Sequence, residues 1–347
     1  VREIKSIEII NEASVGACRR SVHEYARSLG FGETELGQID IVVQEIGTNA
    51  MHYAIENRWL HFARAPGDST GLELFYWDTG PGIYDVDRAI HDGVSTSGSL
   101  GAGLGTIRRM MDEFEIYSTV RKTGRLKPGS IRRTSHGTAL MARKWLDAEL
   151  TQTSGIESER FGVWTRPHPS EELNGDAYFI RRRGARYLVA VIDGLGHGGG
   201  AKEAADAALG VLDDWMGEPL EEVFHFTHNA LRATRGAVMG AAIIDEDAGR
   251  FHYAGVGNVE ARVFNVPEPL TALPVNGTLG ARMGKVKVWT HTWTRGATLV
   301  MASDGLSAAW DMDSYPGLLS RSPQMLAGIL MRDYARNADD ATVLVTR

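Results

Sequence analysis

The sequence predicts a two-domain α/β protein: a two-layer α/β sandwich, then two stacked sheets with helices outside them. Three observations predict this. Helical periodicity dominates the first half, short β-rich runs dominate the second, and a polar stretch lies between. The 347 residues suffice for two domains, since a domain usually takes ~100–200 residues.

In the first half, residues 4–10 alternate as a strand does. Apolar positions recur at helical spacing from Ala13 to Leu29 and again from Glu35 to Ile55. In the second helix Leu36, Ile39, Val42, Val43, Ile46 and Ala50 form one stripe, the face expected to be buried. Leu72–Trp77, Ile116–Val120 and Gly137–Lys144 read as strands. The polar run Asp147–Ser158, with Ser154 and Gly155, marks a linker. The domains are therefore expected at 1–146 and 158–347, with 147–157 between them. In the second, strand patterns at Tyr187–Asp193, Val238–Asp245, Arg250–Ala254, Ala261–Asn265, Val286–Trp293, Thr298–Ser303 and Thr342–Thr346 are interrupted by helical ones. The latter are Gly200–Trp215, Pro219–Arg235 and Pro323–Ala335. Many strands with few helices suit stacked sheets with helices outside.

Composition excludes several classes. A formal net charge of -7 gives no general pull toward nucleic acid or anionic lipid. No apolar run approaches the ~18 residues that a membrane-crossing helix needs. The opening Val1-Arg2-Glu3-Ile4 is charged and unlike a signal peptide, and its lack of Met points to a processed or trimmed start. Cys18 is the single cysteine, so neither an internal disulfide nor a thiolate zinc site can form. That fits a reducing, cytoplasmic location.

Two groups of residues carry chemistry. In the first, Glu45 and Asn49 lie at i and i+4 and share a helix face. A carboxylate there can take a proton from an attacking hydroxyl, and an amide oxygen can hold magnesium. Asp78 ends a strand and opens Asp78-Thr79-Gly80-Pro81-Gly82. It can accept from an adenine amino group while Gly80 and Gly82 let the backbone approach the base. The glycine run Gly98–Gly105 then leads into a helix expected from Thr106, and its exposed N–H groups favour phosphate. Singly, these read as a solvated helix face, a turn and a flexible loop. Their joint order and spacing argue for a nucleotide site.

These segments resemble the GHKL ATP-binding superfamily of histidine kinases, gyrase and the large heat-shock ATPase chaperones. Within it, DGVSTSGSLGAGLGTIRRMMDEF at 92–114 resembles the small serine/threonine switch kinases of bacterial stress signalling, of the RsbT and RsbW type. The resemblance covers about residues 4–146. It implies an N-terminal GHKL (Bergerat) α/β sandwich with ATP and Mg2+ as cofactors. Glu45 would be the general base, Asn49 the magnesium ligand and Asp78 the adenine contact, with Gly80, Gly82, Gly101, Gly103 and Gly105 lining the nucleotide. One departure is RKTGRLKPGSIRR at 121–133, basic and longer than the connection in the compact kinases. It reads as a solvated hairpin, with a docking strip for an acidic partner as the alternative.

In the second group, Asp176, Asp193-Gly194, Ser303-Asp304-Gly305 and Asp339-Asp340 all fall at strand ends. Two-metal phosphate-ester hydrolysis needs carboxylates from several strands around a bridging water. A single Asp-Gly after a strand is usually a turn. The series NGDAYF, VAVIDGLGHGGGAKEAA, YAGVGNVEARVF, LVMASDGL and ADDATVLV is more specific. It resembles the PP2C-type serine/threonine phosphatases, nearest their small bacterial SpoIIE and RsbX branch, over about 158–347. The resemblance implies a PP2C-like αββα sandwich holding two Mn2+ or Mg2+. Asp193 would bridge the metals, with Asp304 and Asp339 on one side, and Asp176 and the Gly194 carbonyl on the other. Asp340 ranks after Asp339, Arg166 is a candidate for the phosphate, and His197 reads as a hydrogen-bonded turn histidine.

Together the resemblances imply a bifunctional serine/threonine kinase and phosphatase, with Glu45, Asp193 and Asp304 as catalytic residues. Its substrates would be STAS-domain partners, either an anti-sigma-factor antagonist or a stressosome scaffold protein. No nucleic acid or membrane span is expected. The alternative is an ATP-binding regulatory module, without phosphotransfer, that controls the phosphatase. Glu45 argues against it, because binding alone needs no base.

Overall fold

The structure is a computed structural model describing residues 2–54, 56–67, 69–90, 103–120, 136–146, 160–267 and 274–347. The linker expected at 147–157, Gly101 and the basic segment 121–133 lie outside the described residues. The chain forms two compact units. One comprises Arg2–Glu159 with Asp311–Arg321; the other holds Arg160–Trp310 and Ser322–Arg347.

The first unit runs β1 (Lys5–Glu8), α1 (Glu12–Leu29), α2 (Glu33–Tyr53), β2 (Trp59–Arg64), β3 (Gly71–Trp77), α3 (Val86–Ile90), α4 (Gly103–Met110), β4 (Glu113–Thr119) and β5 (Gly137–Trp145). Asn11 caps α1: its side chain accepts from the Ser14 N–H at 3.0 Å, and Ser14 Oγ accepts from the Asn11 N–H at 3.1 Å. Such a box contributes about 1 kcal/mol. The helix stops at Gly30, whose φ of 101° is left-handed.

The strands form one antiparallel sheet in the order β1-β2-β3-β5-β4. The helices cover one face. The whole predicted stripe of α2 is buried there, against Leu60, Phe62, Leu72, Leu74 and Leu140. This is the expected two-layer sandwich. The other face carries a buried ion network. Arg143 pairs with Glu73 at 2.8 Å and Glu113 at 2.9 Å, and Arg2 reaches Glu73 at 2.8 Å. Strand β2 escapes sequence reading because His61 is as buried as its apolar neighbours, which erases the alternation. Helix α4 begins at Gly103 instead of Thr106. Gly103 and Gly105 stand in its first turn, and their poor helix propensity hides the start.

The second unit runs β6 (Phe161–Arg166), β7 (Asp176–Arg183), β8 (Arg186–Gly194), α5 (Gly199–Asp213), α6 (Leu220–Ala230), β9 (Ala237–Asp245), β10 (Arg250–Val256), β11 (Glu260–Phe264), β12 (Gly277–Thr278), β13 (Arg282–Met283), β14 (Trp289–Thr292), β15 (Thr298–Ala302), α7 (Pro323–Tyr334) and β16 (Ala341–Thr346). One sheet has the order β14-β10-β9-β8-β7, the other β11-β15-β16-β6, and β12 and β13 form a separate ribbon. Strand β8 shows how the layers form. Tyr187, Val189 and Val191 face the core between the sheets, while Leu188, Ala190 and Ile192 face Ala204, Ala208 and Leu212 of α5. Helix α7 packs on β6 and β16. The result is the expected αββα sandwich. Helix α6 ends at Ala230 and a 3-10 turn follows at Leu231–Ala233, so it is shorter than its pattern.

Candidate active sites

In the first unit, α2 sets Glu45 and Asn49 one turn apart, both half-buried. Helix α4 packs across them. A Cβ built on Gly103 would lie 3.1 Å from Glu45 Oε2 and 3.1 Å from Asn49 Nδ2. The start of α4 therefore lies close against both polar heads. Gly105 is buried one step further along α4.

Asp78 follows β3 and is buried. Its Oδ1 accepts from the N–H groups of Gly80 (2.7 Å) and Thr138 (3.2 Å), and its Oδ2 from the Tyr76 hydroxyl (2.9 Å). These three donors fix the carboxylate's orientation. A Cβ on Gly80 would be 3.2 Å from Ala54 Cα, which puts this turn against the end of α2. Two glycines are obligatory here. Gly82 has φ 77° and a Cβ would strike Thr119 O at 2.1 Å; Gly137 has φ 124° and a Cβ would strike Asp78 O at 2.1 Å. His136 Nδ1 donates to the Gly80 carbonyl at 2.8 Å. Tyr76, His136, Gly137 and Thr138 thus support Asp78, and the sequence reading missed all four. The available signal was His136-Gly137-Thr138 at the mouth of a strand.

In the second unit, Asp176 opens β7 directly opposite Asp193 on β8. Helix α5 crosses Gly194 so closely that a Cβ there would lie 2.2 Å from Ala201 O. Asp304 follows β15, and Asp339-Asp340 precede β16. Gly305 joins these two loops: its Cβ would fall 1.7 Å from Asp340 O. Ser303 Oγ donates to Asp176 Oδ2 at 2.6 Å and accepts from the Thr342 N–H at 2.9 Å. Asn258 Nδ2 donates to Asp304 Oδ2 at 2.7 Å. Sequence reading named Ser303 only beside Asp304 and did not single out Asn258; neither supporting role was read.

Asp340 is more buried than its ranking after Asp339 implied. Its Oδ1 accepts from the His168 N–H at 2.8 Å, while its buried Oδ2 has no hydrogen-bond partner among the described residues. Asp339 is half-exposed and accepts from the Asp340 N–H at 2.9 Å. Arg166 donates through one terminal nitrogen to the Arg336 carbonyl and Asn337 Oδ1, while its buried Nε has no partner among the described residues. His197 pairs with Glu171 at 2.9 Å and stacks on His168.

The electrostatics register how closely the acids converge. Burial above all, then Asp176, Asp304, Asp339 and Asp340, pushes Asp193 up to about 9. Burial also pushes Asp176 up to about 8; Ser303 opposes the shift, and Asp340 and Asp339 add to it. Among the described residues, no three His, Cys, Asp or Glu side chains close into a single metal shell. The donor set nonetheless fits a hard divalent ion. It is all oxygen, and Asp340 Oδ2 is an orphaned buried acceptor.

Comparison with known proteins matches both halves. The histidine kinase-like ATPase domain family covers residues 10–126. Serine/threonine-protein kinase RsbT of Bacillus subtilis (strain 168) is 33% identical over 140 residues, 40% of this chain and 95% of the relative. Phosphoserine phosphatase RsbX of the same strain is 30% identical over 139 residues, 40% of this chain and 69% of the relative. A solved chain, described under the bacterial stressosome as a modular system adapted to control secondary messenger signaling, is 29% identical with a TM-score of 0.51. It covers 54% of this chain and 98% of its own. The chain therefore belongs to two families at once, as a fusion of an RsbT-type histidine kinase-like domain with an RsbX-type member of the PP2C phosphatases. Among the described residues, no helix is long and apolar enough to cross a membrane.

Proposed function

We propose that this chain both phosphorylates and dephosphorylates serine or threonine on STAS-domain partners. These would be an anti-sigma-factor antagonist or a stressosome scaffold protein. The observation that carries the reading is that each unit gathers its own acid-bearing site. Glu45, Asn49 and Gly103 meet in one, and Asp176, Asp193, Asp304, Asp339 and Asp340 converge in the other. Likeness to RsbT, to phosphoserine phosphatase RsbX and to a solved chain described under the bacterial stressosome supports the choice of partner.

In the kinase unit, Glu45 takes the proton of the attacking hydroxyl. Asn49 would offer its amide oxygen to Mg2+, Asp78 would receive the adenine amino group, and Gly80, Gly82, Gly101, Gly103 and Gly105 would line the nucleotide. In the phosphatase unit, Asp193 would be shared by two Mn2+ or Mg2+ ions, with Asp304 and Asp339 holding one and Asp176 and the Gly194 carbonyl holding the other. Bound metal supplies an activated water and neutralises charge on the phosphoryl oxygens. The protein's part is orientation: Ser303 fixes Asp176 and Asn258 fixes Asp304. A phosphoserine carries nearly two negative charges, enough to make or break an interface.

The test is incubation of the purified chain with labelled ATP and STAS proteins from neighbouring genes, followed by removal of nucleotide and addition of Mn2+. Label should first enter the partner on serine or threonine and then leave it as inorganic phosphate. A partner that never acquires label would refute the kinase half, and label that Mn2+ does not release would refute the phosphatase half.

A further inference from the structure

A cavity of about 330 Å³ is lined at one end by Ser303 and Asp304 and extends past them to residues with no part in the proposed phosphatase chemistry. This is within the size range of small-ligand pockets, roughly 300–1,000 Å³. Val259, Leu306 and Ala308 supply apolar wall, and Asn258, Glu260 and Arg336 supply polar groups. Most of the polar groups are already engaged. Asn258 holds Asp304, and Glu260 pairs with Arg262, whose other N–H groups donate to the Trp310 and Ala308 carbonyls. Arg336 differs. Its backbone is pinned, with its N–H donating to Gly305 O at 2.8 Å and its carbonyl accepting from Arg166. Its exposed guanidinium makes no hydrogen bond or ion pair among the described residues. A cation fixed at its root and free at its head thus lines the same cavity as a carboxylate expected to hold metal.

We propose that this cavity reads the substrate next to the phosphoserine: its apolar wall seats a neighbouring side chain, and Arg336 pairs with an acidic residue beside it. The inference rests on the phosphatase reading and adds a specificity element to it. Phosphate held at the Asp304 loop would bring the adjoining peptide over this cavity. The wall excludes water from one neighbour, and the guanidinium offers a forked donor to a carboxylate. Being solvent-facing, the pair would give only a modest preference.

Two short phosphoserine peptides test it, identical except for glutamate or glutamine beside the phosphoserine, with p-nitrophenyl phosphate as a substrate lacking any peptide. With Mn2+, wild type should favour the glutamate peptide in kcat/KM by about two- to fivefold, the range of an exposed ion pair. Arg336→Ala should erase the preference and Arg336→Glu should reverse it. Ala308→Trp should fill the cavity and raise KM for both peptides. In all three variants, KM for p-nitrophenyl phosphate should stay within about twofold of wild type. A wild type without preference, or a preference that survives Arg336→Ala, overturns the proposal. A parallel rise of KM for p-nitrophenyl phosphate also overturns it, because Arg336 would then serve the phosphate itself. A chain that hydrolyses none of these substrates contradicts the phosphatase reading instead. Fluorescence anisotropy of the labelled peptides then decides on the cavity: binding that favours glutamate through Arg336 supports it, and equal binding overturns it.

Discussion

Asp176 and Asp193 stand opposite each other in antiparallel register across β7 and β8, a buried and a half-buried carboxyl group in one strand pair. Burial and the neighbouring acids raise both above the carboxylate range, to about 8 and about 9. A strand pair built for stability alone would hold apolar or oppositely charged residues there. The arrangement makes sense as a cation site whose metal-free form is strained.

That strain is measurable. Asp193→Asn should raise the melting temperature of metal-free protein, because a neutral amide removes one buried acid from the cluster. The same change should abolish the stabilisation that wild type gains from Mn2+. A ligand at roughly 100 times its Kd adds about 2.7 kcal/mol. Calorimetry with EDTA and then with Mn2+ reads both effects; an Asp193→Asn variant stabilised by Mn2+ as fully as wild type would contradict the bridging role.

The ion network on the first unit's sheet predicts a stability effect. Burial alone would raise the Glu73 carboxyl, but Arg2 and Arg143 outweigh it and hold it below the usual range. Glu73→Ala leaves Arg143 buried with Glu113 as its remaining acid. It should cost about 3–5 kcal/mol in urea unfolding, as when one partner of a buried pair is removed. The pH dependence has a definite sign. A depressed folded-state pKa contributes stability that is complete above the unfolded carboxylate value and is lost as pH falls through the folded one. Wild type should therefore lose stability on acidification through that acid range more steeply than the variant.

Gly137→Ala should impair nucleotide binding from outside the ligand contacts. A Cβ there meets the Asp78 carbonyl at 2.1 Å, and φ is 124°. The strain should cost more than about 1 kcal/mol and displace Asp78. Titration with a fluorescent ATP analogue should find weaker binding, with phosphatase activity on p-nitrophenyl phosphate retained.

Glu45→Gln separates catalysis from binding. The amide keeps the shape but cannot accept a proton, so ATP affinity should hold while transfer falls by ~10²–10⁴-fold. Unchanged transfer would favour a purely regulatory ATP-binding domain.

Much of this is legible in the chain. The α2 stripe sets the buried face of that helix, and Asp193-Gly194 and Asp304-Gly305 reveal themselves through glycines that prove sterically required. What stays hidden is long-range. Ser303 meets Asp176 across 127 residues, and nothing near either residue announces the pairing. Strands β2 and β6 are buried on both faces and so lack alternation. Asp340 reads as a variable neighbour of Asp339 because the residues that surround its carboxylate, His168 and Gly175 between β6 and β7, lie far earlier in the chain.

The most direct test of two opposed enzymes in one chain is the steady-state phosphorylation of a STAS partner with ATP and Mn2+ present. Wild type should hold the partner at an intermediate level set by both rates. Asp304→Ala removes a proposed metal ligand in the second unit and leaves the first unit's core untouched, so it should drive the partner to full phosphorylation. Glu45→Gln should leave it unphosphorylated. A phosphorylated fraction that falls in Asp304→Ala would contradict the account, because Asp304 would then support phosphorylation instead of opposing it.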